Sequence, residues 1–211
     1  MNASKLFIAF SIITAVFTSC DKKDKVEGNN ATVLYSATTT NRTSGLVNWT
    51  SGAGSGRQIA FKGTSSTRVE VYALDTDAVD FFTNAAFIDT AIVPAGTYTN
   101  AEFNYQMTPT RSEPALQLKG TYNGTPVTVN IDLFTEIATK LPSVTLEARK
   151  TYKATLQLDL SAMMNGVSAT QLNNATRTNG EILITPFINA NLLVTITNNV
   201  NNVMQHPVIF Q

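Results

Sequence analysis

From residue 31 onward apolar and polar side chains alternate with a period of two, the spacing of a strand with one buried face. The clearest alternation covers 150–160. There Tyr152, Ala154, Leu156, Leu158 and Leu160 fall on one side and Thr151, Lys153, Thr155, Gln157 and Asp159 on the other. In 68–73, Val69, Val71 and Ala73 oppose Arg68, Glu70 and Tyr72. Further strand-like runs predict strands at 32–36, 45–50, 58–61, 97–107, 115–122, 126–134, 143–147, 181–185 and 192–197. Residues 51–56, Ser-Gly-Ala-Gly-Ser-Gly, read as a flexible loop between two of these strands. Asn123-Gly124 predicts a tight hairpin, because both residues accept positive φ. Val93-Pro94-Ala95-Gly96 predicts a second turn. Only 75–85 and 161–173 read as helices. Many short strands punctuated by Gly, Pro and Asn predict an all-β fold, an antiparallel β-sandwich with one or two short helices.

The first twenty residues break this pattern. Lys5 precedes an apolar stretch over 6–17. Its length suits a secretory h-region of ~7–15 residues and falls short of the ~20 that cross a bilayer core. Cys20 is the single cysteine, so no disulfide can form within the chain. It follows the apolar run and Ser19, and precedes Asp-Lys-Lys-Asp-Lys. This arrangement resembles a bacterial lipoprotein signal. The resemblance implies cleavage before Cys20, acylation of its sulfur and attachment to the outer membrane, on its periplasmic face or at the cell surface. The Lys/Asp run after the cysteine resembles the surface-export signal of Bacteroidota lipoproteins. The expected organisation is a signal peptide over 1–19, a solvated tether over 20–30 and one β-sandwich domain over 31–211.

Composition sharpens the picture in two ways. The 31 threonines and 20 asparagines suit strands and turns. Fifteen Lys+Arg balance fifteen Asp+Glu, and charged residues are only 14% of the chain. A nucleic-acid binder needs a basic stripe to neutralise phosphates, so no nucleic-acid partner is expected.

Candidate chemistry is sparse. His206, the single histidine, is the sixth residue from the end of the sequence, and a single histidine excludes any HExxH metal motif. The glycines of 51–56 lack both the dinucleotide and the P-loop spacing, and Ser55 lacks the nucleophile-elbow spacing. Asp75, Asp77 and Asp80 cluster, but the EF-hand positions for Gly and Glu hold Asp80 and Ala86. Asp132, Glu136, Glu147 and Asp159 read as outward-facing strand or loop residues. No catalytic residue, metal site or cofactor is therefore expected. Trp49, Tyr72, Tyr98, Tyr105 and Tyr122 could present a platform for sugars, with Trp49 and Tyr72 the chosen ligand-binding candidates. Asp89-Thr90-Ala91 resembles the short O-glycosylation motif of Bacteroidota.

Val93-Pro-Ala-Gly-Thr-Tyr-Thr99 opens one strand, and 144–160, with Lys150-Thr151-Tyr152, carries a late one. Together these resemble an uncharacterised β-sandwich domain of bacterial lipoproteins, immunoglobulin-like or transthyretin-like. Ala148-Arg149-Lys150 stands where that pattern has glycine. The resemblance implies a fold and no catalytic residue. The expected function is a non-enzymatic, lipid-anchored envelope module for adhesion or glycan binding, its partners a membrane and a glycan or envelope protein. The second expectation is a fimbria-like subunit that donates a strand from 192–198 or 207–211. The third, an envelope hydrolase, calls for a deep cleft with two facing carboxylates.

Overall fold

The computed structural model describes residues 28–74, 78–202 and 207–211. The predicted signal, Cys20, Asp75, Asp77 and His206 lie outside the described residues. The chain forms, in order, β1 (Asn30–Thr40), β2 (Asn48–Thr64), β3 (Arg68–Leu74), β4 (Ala78–Asp80) and β5 (Ala86–Pro94). There follow β6 (Gly96–Met107), β7 (Leu116–Tyr122), β8 (Thr125–Ile131), β9 (Thr135–Leu146) and β10 (Thr151–Asp159). Two short helices come next, α1 (Leu160–Met163) and α2 (Ala169–Asn173). The chain ends with β11 (Arg177–Thr178), β12 (Glu181–Ile184), α3 (Ala190–Val200) and β13 (Val208–Phe210).

The predicted alternation is strict in β1, where Ala31, Val33, Tyr35, Ala37 and Thr39 are all buried. This strand is central in a four-stranded sheet ordered β13-β10-β1-β5. It runs antiparallel to β5 and parallel to β10, with Thr32 opposite Thr151. The second sheet follows the path β11-β12-β8-β7-β2-β6-β9, with β3 and β4 on the remaining side of β2. The fold is thus the expected all-β sandwich, with two parallel pairings among the described residues, β1 with β10 and β12 with β8.

The large sheet turns a corner along β2. The second half of β2 pairs with β6 and β3, and its first half with β7 and β4. The neighbouring strands are interrupted at the same level. Residues 108–115 separate β6 from β7, and 132–134 separate β8 from β9. A continuous strand that passes from one packed layer to another is how orthogonally packed sheets make corners. One half of the large sheet faces β1 and its neighbours. Tyr35 crosses the layers and donates to the Ala60 carbonyl at 2.8 Å, with its ring 6.1 Å from that of Phe103. Phe103 in turn meets Phe61 and Phe210. The other half is covered by helices. Tyr122 donates to Ala169 and Asn173 of α2, and Asn199 of α3 donates to the Met163 carbonyl of α1.

Several elements differ from the sequence reading. Residues 51–56 are strand, and two predicted strands are one 17-residue β2. The reason is space. A Cβ on Gly52 would stand 2.5 Å from the Leu118 side chain, and one on Gly54 2.5 Å from Met107 Sδ and 2.7 Å from Phe81. These glycines let the strand approach its neighbours closely rather than loosen it. Residues 78–80 pair as a strand instead of continuing a helix, followed by a turn. Residues 192–197 lie in helix α3, not in a strand. The β-branched Val194, Thr195, Ile196 and Thr197 favour a strand locally. Leu192, Leu193, Ile196 and Val200 nevertheless share one buried helical stripe. The predicted helix over 161–173 is split into α1 and α2. Strand β5, and the part of β9 before residue 143, were not foreseen. Among the described residues no helix is long and apolar enough to cross a membrane.

Candidate functional site

The half of the large sheet that packs on β1 turns its other face outward. Alternation on β2 buries Ile59, Phe61 and Gly63 and leaves Gln58, Ala60 and Lys62 on that outer face. On β6 the same rule sends Glu102, Asn104 and Gln106 outward, and on β9 Glu136, Ala138 and Lys140. On β3 it sends Arg68, Glu70 and Tyr72 outward. Register turns these sets into rows. Glu70, Lys62, Glu102 and Lys140 lie side by side across four strands, as alternating charges. Tyr72, Ala60, Asn104 and Ala138 form the next row, and Gln58, Gln106 and Glu136 the one after.

The middle row is low and the flanking rows are tall. Ala60, Asn104 and Ala138 are almost fully buried although they point away from the core. Asn104 is the hub. Its Nδ2 donates to Glu102 Oε1 at 2.9 Å and to Glu136 Oε1 at 2.5 Å, while its Oδ1 is buried without a partner. Gln58 donates to Gln106, and Gln106 donates to Glu136. Glu102 also binds Lys62 at 3.3 Å and Lys140 at 3.0 Å. Burial alone would push the Glu102 carboxyl up. The bonds from Asn104, Lys140 and Lys62 outweigh it and hold the group below the usual carboxylate range. Glu70 is held low by bonds from Tyr72 and Arg68, and the Tyr72 phenol is pushed up by its bond to Glu70.

At the β2–β3 end of this face the rows open into a hollow of about 420 Å³, lined by Lys62, Thr64, Arg68, Asn100, Glu102 and Lys140 among others. Asn100 has φ +50° and interrupts the regular register of β6 there.

Only part of the predicted aromatic platform lies on this surface. Trp49 is 4% exposed and belongs to the core, so its ring is not available to a ligand. Tyr98, Tyr105 and Tyr122 are buried as well, leaving Tyr72, half exposed at the β3 end of the middle row. These rings sit on inward-facing strand positions, where burial of a large apolar surface dominates. Asp80 spends its carboxylate on its own turn, accepting from Phe82 N and Thr83 Oγ1. Ser55 donates to the Pro114 carbonyl, and Asp159 caps α1. Glu147 pairs with Lys150. Among the described residues no group of three or more His, Cys, Asp or Glu could hold a metal ion. Glu102 and Glu136 do face one another, but Asn104 fills the space between them.

The sequence reading did not single out Lys62, Glu102, Asn104, Gln106 or Lys140. Their alternation within 102–106 and 136–140 was visible. The cross-strand register that gathers them was not. Compared with known proteins, the chain matches no family model, no curated protein and no solved structure.

Proposed function

We propose that this chain is a lipid-anchored, non-catalytic binding module of the cell envelope that holds carbohydrate on the outer face of β3, β2, β6 and β9. One observation carries the reading: a flat array of amides, carboxylates and ammonium groups, fixed by register, with the half-exposed Tyr72 ring beside it. Sugar hydroxyls both donate and accept, and mixed rows of Gln, Glu and Lys answer both. An aromatic ring supplies an apolar surface for the sugar's C–H face. The lipid anchor rests on Cys20 and the segment around it.

Strand donation has less support. Residues 192–198 are helical, and β13 pairs within the chain, with Ala154 opposite Phe210.

The test is calorimetric titration of the full chain, in mild detergent, with neutral and acidic oligosaccharides. Tyr72→Ala is expected to weaken binding by roughly ten-fold, the worth of one stacking contact of about 1–1.5 kcal/mol. Oligosaccharide binding that is absent, or indifferent to Tyr72→Ala, removes the proposal.

A further inference from the structure

We infer that the hollow at the β2–β3 end of the polar face is a subsite for an anionic group, a carboxylate or sulfate, carried by an acidic polysaccharide. The inference rests on the carbohydrate reading of that face and names the class of sugar it takes.

Its lining brings Lys62, Arg68 and Lys140 together against a single carboxylate, Glu102. Both oxygens of that carboxylate are already occupied, Oε1 by Lys62 and Asn104 and Oε2 by Lys140. Each ammonium has three donors, and each uses one of them on Glu102. Arg68 directs Nε and one terminal nitrogen at Glu70 Oε1, which leaves further donors of its fork. Asn100 and Thr64 add neutral polar groups at the rim. The hollow therefore offers more donors than acceptors, and three positive charges against the two negative ones of Glu70 and Glu102.

A neutral sugar would make ordinary hydrogen bonds here. An anionic one would make charge-assisted bonds, which are about twice as strong. Lys62 and Glu102, 25% and 17% exposed, are screened less by solvent than a free surface charge, whereas Lys140 and Arg68, 51% and 75% exposed, stand at the open rim. Glu102 on β6 draws Lys62 from β2 on one side and Lys140 from β9 on the other, so an anion entering the hollow meets two ammonium groups already gathered.

The probes are oligogalacturonate, a sulfated heparin-type oligosaccharide, neutral galacto-oligosaccharide and sodium sulfate, titrated into the full chain and into Arg68→Gln/Lys140→Gln. Both substituted side chains are at least half exposed, so the variant should fold, and a thermal melt checks it. At low salt an acidic oligosaccharide is expected to bind roughly ten-fold tighter than the neutral one. That advantage should fade with added salt and vanish in the double variant. Equal affinity for acidic and neutral oligosaccharides overturns the subsite and leaves the carbohydrate reading standing. Sulfate binding that the variant loses, with no oligosaccharide bound, keeps the anion site as one for a free ion and removes both the polysaccharide source and the carbohydrate reading. No binding of any probe removes both.

Discussion

Single side chains set the character of the outer face. Glu102 is the residue most tied to its neighbours: Lys62 on β2, Lys140 on β9 and Asn104 on its own strand, with Glu70 and Arg68 on β3 and Glu136 beyond Asn104. Its carboxyl is held below the unfolded value near 4.5. A group with a lowered folded pKa stabilises the fold fully above its unfolded pKa, and that contribution is lost as pH falls through the folded value. Acid denaturation curves should therefore show stability declining below about pH 4.5. Glu102→Gln is expected to flatten the part of that decline due to this group. An unchanged acid limb in the variant would mean the bonds to Lys62 and Lys140 do not persist in solution. Turn chemistry was the residue-level feature best legible beforehand. Asn123 and Gly124 both have positive φ, as expected, and Asn179-Gly180 repeats the device between β11 and β12. Arg149 takes φ +64° where glycine was the expected residue, so the turn forms with a strained substitute. Two tyrosines, one in 93–99 and one in 144–160, brace their own turns. Tyr98 donates to the Pro94 carbonyl, and the Tyr152 hydroxyl accepts from Glu147 N.

Among the elements, β2 decides the architecture. The sequence shows three glycines in six residues, and local rules read such a run as slack chain. What decides between slack and strand is the set of side chains pressing on it, Leu118, Phe82, Met107 and Phe81, all distant in sequence. Gly54→Ala would place a methyl against Met107 and the buried Phe81 ring. Overpacking of this kind costs about 1–3 kcal/mol. Urea or thermal unfolding should show that loss, whereas a flexible loop would tolerate the change with no loss at all. The same limit explains α3. Its β-branched run points to a strand, and only the neighbouring layers reveal that a helix buries Leu193 and Ile196 better. Strands whose inward positions alternate cleanly, β1 and β10, were readable because their pattern needs no partner to be seen. The candidate site was not readable, since it exists only once β2, β3, β6 and β9 are set in register.

At the scale of the whole molecule, the sandwich, its helix-covered extension and the polar face share one continuous core. The proposed anchor would hold this body at a membrane through Cys20, the first residue of the tether expected over 20–30. Two or more acyl chains give stable attachment, whereas one gives only marginal binding. Cys20→Ala should move the protein from the detergent phase to the aqueous phase in phase-partition fractionation. A variant that stays with detergent would show that something other than this sulfur holds the chain.

The parallel pairing of β1 with β10 has a temporal consequence. Ser36 and Thr155, hydroxyl to hydroxyl at 2.8 Å, are 119 residues apart in the chain. A polypeptide delivered from its N-terminus therefore presents β1 long before the strand that closes beside it arrives. Until then one border of the innermost ribbon stays open, and unpaired borders are where nascent chains stick to one another. Closure of β1 against β10 therefore waits for the last third of the chain rather than for its beginning.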